Sequence, residues 1–338
     1  MTALYITSLS ENAGKTMVCA GLGKYWLKHG QKVGYLKLLP RESQKAPEDP
    51  DKDALFVKKI LNLQESLEVI SAAVGTQGEG IGQVYEAVSR DKDVVVIEGL
   101  ALNDSQKLIE ALDVKVLIVH DYYSQISASL SDYQKQGRHL IGVVLNKIPR
   151  SKTEEWRNRI INEVTSSNIP VLGLIPENRL LMTLSIADLA QTLKGKILNN
   201  TEKSEELIEY FMMGSSTFDR GAAYYNRRNN KAVILWGERA GFRKAAISNL
   251  QLAALQTSIR CLVISANSEP IPAVSQKAVE KQVPVISAPG SMLSLITILE
   301  NSMGRLKFRQ EQKLPRLEET LSQNLNLKLI SEELGLAG

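Results

Sequence analysis

The sequence predicts an α/β protein in two parts, a parallel sheet with helices on both faces followed by a smaller α/β unit. Three observations predict it. Continuous apolar strands recur along the chain, each followed by a polar helical stretch, which is the pattern of a parallel sheet buried on both sides. Strand, loop, helix and strand succeed one another within residues 3–39, which makes a βαβ unit. A polar segment, Gly195–Glu206 (GKILNNTEKSEE), then separates a second set of apolar strands from the first.

Taken in order, Ala3–Thr7 (ALYIT) is a short apolar strand, and Ser8–Thr16 (SLSENAGKT) a polar loop. A helix is predicted over Lys15–His29, ended by Gly30, because glycine takes the positive φ that stops a helix. Lys32–Leu39 is the next strand, and the charged, proline-bearing Pro40–Lys52 is a loop longer than a simple connection needs. A helix follows at Asp53–Leu61. Gly75–Gly82 carries four glycines and reads as a loop before a helix that runs to Ser89. Asp93–Ile97, Val114–Val119, Leu140–Leu145 and Val171–Ile175 are the remaining strands of the first part. Beyond the polar segment, strands are expected at Lys231–Trp236, Ile259–Ile264 and Val283–Ile286, and helices at Arg239–Gln256, Ile271–Lys281 and Ser291–Asn301. The domain expectation is therefore residues 1–198, residues 207–305, and a charged tail over 306–338 that holds a helix.

Composition narrows the classes. Hydrophobic residues make up 43% of the chain and charged residues 23%, as in ordinary globular proteins, and the net charge is +4. Basic residues are scattered apart from short clusters at Arg227-Arg228 and Arg305–Arg309, so a nucleic-acid partner is not expected. Gln282–Leu299 lacks charge but contains Pro284, Pro289 and Gly290, which suits strand, turn and helix better than a membrane span. Cys19 and Cys261 lie far apart in apolar runs, away from His29, His120 and His139, so no metal-ligand spacing exists. Two lone thiols and an amino terminus that enters a strand directly fit a cytoplasmic protein.

Gly14-Lys15-Thr16 carries the chemistry. A triphosphate needs backbone N–H groups converging on its oxygens, and a helix amino terminus supplies them. Ser10, Glu11, Asn12, Ala13, Gly14, Lys15, Thr16 and Met17 would wrap the phosphates, with Lys15 on the β and γ groups and the Thr16 hydroxyl on Mg²⁺. The usual first glycine of such a loop falls on Leu9, with the small Ser8 one residue earlier, so the loop is a variant. Four further residues stand at strand ends or helix starts, where ligands sit in such sheets. Lys37 would neutralise phosphate or is a solvated lysine. Asp53 would bind Mg²⁺ or is a helix-start acid. Glu98 at the end of a buried strand suits ligation or water positioning. Asn146 offers a donor and an acceptor to an adenine edge or is an ordinary turn residue.

These residues resemble dethiobiotin synthetase. Its phosphate loop has glycine where Ser8 stands; its second strand ends in an active-site lysine, matched by Lys37 in VGYLK; its metal-binding aspartate is matched by Asp53 in DKDAL. Glu98-Gly99 resembles its Walker-B-like glutamate, Asn146 in VVLNKIP its adenine-reading asparagine, and IPVLGLIPE its sixth strand and following loop. FMMGSSTFD and WGERAGF resemble the DRTGG domain, and the pair of domains is similar to the amino-terminal part of long bacterial phosphotransacetylases, over residues 1–305. The resemblance implies a P-loop NTPase fold, ATP and Mg²⁺ as cofactors, Lys15 and Lys37 as catalytic residues, Thr16, Asp53 and Glu98 at the metal, and a homodimer. Two departures matter. Gly99 is followed by Leu100-Ala101-Leu102 instead of a glycine-rich turn, which touches the diaminopelargonic acid site. The DRTGG letters are replaced by Gly237-Glu238-Arg239-Ala240-Gly241.

Two functions follow, since fold alone does not choose between them. The first is a nucleotide-dependent regulatory or sensor module, favoured by the altered turn and by the absence, within these residues, of an acetyl-transferring domain. In that reading the tail after Leu314 is a docking helix. The second is an ATP-dependent synthetase that activates a small carboxylate or carbamate by phosphoryl transfer. A switch ATPase of the partitioning kind would carry a lysine where Ser10 stands.

Overall fold

The computed structural model describes residues 1–40, 51–75, 80–152, 154–214, 222–237, 244–303 and 309–336. The chain divides into two compact units, Met1–Leu181 with Lys307–Gly338, and Met182–Leu306. Most of the loop at Pro40–Lys52, the centre of the glycine run at Gly75–Gly82, the Asp219-Arg220 turn and residues Glu238–Gly241 lie outside the described residues.

In unit 1, β1 (Thr2–Ser8), β2 (Val33–Pro40), β3 (Ser71–Val74), β4 (Val94–Ala101), β5 (Lys115–Asp121), β6 (Leu140–Ile148) and β7 (Val171–Pro176) form one sheet. Its order is β3-β2-β4-β1-β5-β6-β7, and every pairing is parallel. The helices are α1 (Lys15–Lys28), α2 (Lys52–Ile60), α3 (Leu67–Ile70), α4 (Ile81–Ser89), α5 (Gln106–Leu112), α6 (Leu130–Gln134) and α7 (Glu154–Thr165). Strand alternation sorts β1 between two cores: Leu4 and Ile6 join Val18 and Trp26 of α1, whereas Ala3 and Tyr5 join Val88 of α4 and Leu108 of α5. Both faces are thus covered, as the apolar strand runs predicted. α1 ends one residue before the expected His29, with Gly30 at φ +82 beyond it. β3 was not expected. Its four residues carry too short a pattern to read, and parallel pairing with β2 makes them a strand.

Unit 2 contains β8 (Leu184–Ser185), β9 (Lys196–Ile197), β10 (Leu207–Ile208), β11 (Tyr210–Met213), β12 (Lys231–Leu235), β13 (Ile259–Ile264) and β14 (Val285–Ser287). A five-stranded sheet runs β11-β12-β13-β14-β9, parallel except for β9 at its edge, and β8 pairs with β10 separately. The helices are α8 (Ile186–Thr192), α9 (Ala222–Tyr225), α10 (Lys244–Leu255), α11 (Pro272–Glu280) and α12 (Met292–Met303). α8 starts on a capping box in which Ser185 and Asp188 satisfy each other's backbone N–H.

Two expectations about domain limits are corrected here. The polar segment Gly195–Glu206 is not a linker but part of unit 2: β9 pairs antiparallel with β14, and its polarity is that of an edge strand. The boundary lies at Leu181/Met182. The tail does not stand apart. It forms α13 (Leu314–Asn324) and α14 (Leu327–Glu333), which close the α1 side of unit 1. Two glycines permit the approach: a Cβ on Gly21 would lie 2.0 Å from Leu321 Cδ1, and one on Gly173 2.2 Å from Leu325 Cδ2. Trp26 Nε1 donates to Ser331 Oγ at 3.0 Å, and Asn178 Nδ2 to Thr320 Oγ1 at 3.3 Å. The apolar faces of both helices are thus covered by unit 1 itself. Among the described residues no helix is long and apolar enough to cross a membrane. Cys19 and Cys261 are buried and unbridged, and burial pushes both thiols up.

Candidate nucleotide site

The site grows from the junction of β1 and α1. Gly14 caps α1 at φ +102, a conformation that glycine holds without strain. A side chain there would also collide with Asn146, whose Nδ2 lies 2.3 Å from the Cβ position. Asn12 too has positive φ, +58, so the loop curls tightly before the helix starts. Ser8 Oγ donates to Ser10 O at 2.7 Å and accepts from Lys15 Nζ at 3.1 Å. Ser8 thus staples the loop across its mouth and holds the Lys15 ammonium over it. Burial pulls the Lys15 ammonium below its ordinary value, and Glu98 opposes that. Glu11 is exposed, Ala13 buried, and Met17 packs against the core under α1.

Thr16, the second residue of α1, donates its hydroxyl to Glu98 Oε1 at 2.7 Å. Tyr35 on β2 donates to Glu98 Oε2, also at 2.7 Å. Both carboxylate oxygens of Glu98 are therefore oriented. The Tyr35 phenol is held well above its ordinary value by burial and by Glu98. Parallel register sets Lys37 beside Glu98, and Lys37 Nζ lies 3.9 Å from Glu98 Oε1. The same ammonium donates to Asp51 Oδ1 at 2.9 Å and Asp53 Oδ2 at 3.1 Å. Although burial works against the charge, Glu98, Asp53 and Asp51 together raise Lys37 above the lysine range. Asp51 also caps α2, accepting from the N–H groups of Asp53 and Ala54. From the tail, Arg309 Nε donates to Asp53 Oδ1 at 2.6 Å.

On the other side of the loop, Asn146 Nδ2 donates to Ala13 O at 2.7 Å, and its Oδ1 accepts from Lys147 N at 2.8 Å. Lys147 Nζ reaches Asn12 O and Asp121 Oδ2, each at 2.7 Å. The Asn-Lys pair at the end of β6 is thus a clamp on the loop backbone. Gly99 explains the altered turn after Glu98: a Cβ there would sit 2.1 Å from the Tyr5 ring. The Tyr5 hydroxyl accepts from Leu100 N and donates to Ser105 Oγ, which makes that turn a buried structural corner.

The structure therefore gathers Lys15, Thr16, Lys37, Asp53, Glu98 and Asn146 at one sheet edge. Ser10 through Ala13 form the loop between them. Sequence reasoning missed Ser8 as the Lys15 partner, Tyr35, Asp51, Lys147 and Arg309. The Asp51-Lys52-Asp53 spacing before a helix was a readable signal for Asp51; Arg309, 256 residues from Asp53, had none. Among the described residues no group of three or more His, Cys, Asp or Glu side chains is disposed to hold a metal ion. The donor set fits Mg²⁺ at Thr16 and Glu98, where a hydroxyl and a carboxylate oxygen already face each other. Asp53 fits less directly, since Lys37 and Arg309 take its two oxygens.

Comparison with known proteins agrees with this architecture. Residues 2–185 match the AAA_26 family model, an AAA domain, and residues 188–302 match the DRTGG domain. The chain is similar to the phosphate acetyltransferase of Deinococcus radiodurans, at 22% identity over all of this chain and 52% of that protein. It is also similar to that of a Synechocystis species, at 18% identity over 81% of this chain and 43% of that protein. The chain thus spans about half the length of these relatives, matching the amino-terminal part of the long phosphotransacetylases. Solved structures of lower likeness include the MinC:MinD complex of Aquifex aeolicus (19% identity, 54% of this chain and 84% of that one, TM-score 0.37). Another is the CBS and DRTGG region of a Clostridium perfringens pyrophosphatase complexed with diadenosine tetraphosphate (10% identity, 52% and 85%, TM-score 0.30). A P-loop NTPase-like sheet and a DRTGG region imply nucleotide binding in general terms. The chain belongs to the AAA_26 family of AAA domains and carries a DRTGG domain behind it.

Proposed function

We propose that unit 1 binds ATP with Mg²⁺ and that the protein is a nucleotide-dependent regulatory or sensor module related to the amino-terminal region of phosphotransacetylases. The observation that carries this reading is the left-handed Gly14 followed by a half-buried Lys15 ammonium, held below the usual lysine value by desolvation, and by Thr16 hydrogen-bonded to Glu98. A half-buried lysine whose described hydrogen bond is to a neutral hydroxyl is partly desolvated, and an anion in the loop would favour its charge. Lys15 would meet the β and γ phosphates, and the loop from Ser10 to Met17 would wrap them. Mg²⁺, held at Thr16 and Glu98, would neutralise phosphate charge. Asn146 keeps the loop in its curled form, and a contact with adenine would use the same amide. We also propose a cytoplasmic homodimer, in line with the resemblance to dethiobiotin synthetase; light scattering on the purified chain reads the mass directly.

One observation favours the second reading, an ATP-dependent ligase acting on a small carboxylate. Lys37 is buried among three carboxylates, a larger charge cluster than nucleotide binding alone requires. It would face a transferring phosphoryl group.

Calorimetric titration of ATP with Mg²⁺ tests the first reading. Lys15→Ala is expected to weaken binding about a hundredfold or more, the loss of a charge-assisted phosphate contact. Equal binding by wild type and Lys15→Ala would remove the phosphate assignment. ADP release that a single small carboxylate stimulates would replace the sensor by the ligase.

A further inference from the structure

We infer that Arg309 stands in for the metal at Asp53, so that the carboxy-terminal segment competes with the Mg²⁺-nucleotide complex for the site. The inference rests on the nucleotide reading above and adds a regulator to it.

Four observations carry it. Asp53 is buried, and its two oxygens face two different cations, Lys37 on Oδ2 and Arg309 on Oδ1. The Arg309 contact is short, 2.6 Å, as charge-assisted bonds are. Arg309 is only partly exposed, at 24% of its side chain, although it lies near the start of a returning segment. The residues after it are pinned: Gln310 and Lys313 are buried, Glu311 pairs with Lys59 of α2 at 2.5 Å, and Glu318 with Lys28 of α1. The guanidinium is thus held by a packed segment on a buried carboxylate beside Lys37 and Glu98.

Asp51, Asp53 and Glu98 oppose Lys15, Lys37 and Arg309. A metal at Asp53 Oδ1 would lie within a few ångströms of the Arg309 guanidinium and beside Lys37, and the repulsion among these cations sets metal and Arg309 against each other. The apparent affinity for metal-nucleotide is then the intrinsic affinity reduced by the fraction of molecules in which Arg309 is off Asp53. Release of Arg309 would carry the start of the tail with it.

The test uses the full chain, Mn²⁺ and the β,γ-imido analogue of ATP, in wild type, Arg309→Gln and Arg309→Lys. Arg309→Gln is expected to bind the metal-nucleotide about tenfold more tightly than wild type, the effect of removing one competing charged hydrogen bond. Arg309→Lys keeps a competing cation and is expected to stay near wild type. Metal-free nucleotide should bind all three alike. In wild type, hydrogen exchange over residues 309–313 should quicken when Mn²⁺ and analogue are added together, and not with either alone. Weaker binding by Arg309→Gln would make Arg309 a phosphate ligand and overturn the inference. Unchanged affinity, or exchange that does not respond, would reduce the contact to anchoring and overturn it too. Absence of nucleotide binding in every variant, with or without metal, would instead remove the reading on which it rests.

Discussion

In unit 1 the carboxyl halves of the strands carry Lys37, Glu98, Asp121 and Asn146, all buried; in unit 2 the corresponding ends carry Ser265 and Ser287, also buried. Both are parallel sheets, so both present successive strand ends to one side, where ligands are received. What differs is how the polar groups are satisfied. Among the described residues of unit 2 the hydroxyls bond backbone groups that follow a neighbouring strand: Gly237 N donates to Ser265 Oγ at 3.2 Å, and Ser287 Oγ donates to Ser268 O at 3.1 Å. In unit 1 Asn146 closes on the loop backbone, whereas Lys37, Glu98 and Asp121 are charges held against other charges, Lys37 with Glu98 and Asp53, and Asp121 with Lys147. A neutral hydroxyl pair is a finished structural corner. Charges taken out of water are stable only while each keeps its partner, so this edge is more sensitive to loss of one group than the hydroxyl contacts are.

The largest expected stability effect breaks the ion cluster. Lys37→Met leaves three carboxylates facing one another without their shared cation, and should cost unit 1 about 3–5 kcal/mol by denaturant unfolding. The pH dependence follows from the raised folded value of Lys37. A lysine raised on folding contributes its full stabilisation below its unfolded value, about 10.4, and loses it only as pH climbs beyond that through the folded value. The difference between wild type and Lys37→Met should therefore be flat from neutral pH to about 9 and shrink only in strong base. A gap that closes near neutral pH would mean that Lys37 is not the hub.

Next in size is the tail. Leu321→Ala opens a cavity against Gly21 of α1 and should cost about 2–5 kcal/mol, resolved by hydrogen exchange as faster opening in unit 1 with unit 2 unchanged. Equal loss in both units would show that they unfold together and would blur the comparison. Gly99→Ala sharpens it from the other side. A methyl driven against the Tyr5 ring should lower stability by about 1–3 kcal/mol, read as a drop in melting temperature. Smallest of all, Ser265→Ala removes one neutral acceptor in unit 2. It should cost about 1 kcal/mol and leave nucleotide binding by unit 1 unaltered.

The sheet was legible because its strands are apolar on both faces and each ends at a turn, so β1, β2 and β4 through β7 announce themselves by composition. The loop was legible because Gly14, Lys15 and Thr16 are adjacent in sequence and need only a strand before them and a helix behind. Lys37 and Glu98 were readable singly, as charges at the ends of apolar runs. Their pairing was not readable, because it comes from register between neighbouring strands. Asn146 carried two readings, adenine contact and turn residue. In the structure its amide holds Ala13 O, a partner 133 residues away.

By itself, then, the sequence determined the layering of unit 1, the place of the phosphate loop and the presence of a second α/β unit. All of these follow from local periodicity and adjacency, which a linear pattern records. Only tertiary structure decided that Gly195–Glu206 adds an edge strand, that the tail packs on α1, and that Arg309 reaches Asp53. Each of these is a contact between segments distant in the chain. Its energy comes from register, from the space a missing Cβ leaves, or from the meeting of a buried carboxylate with a partly exposed guanidinium, none of which is written in the spacing of neighbouring residues.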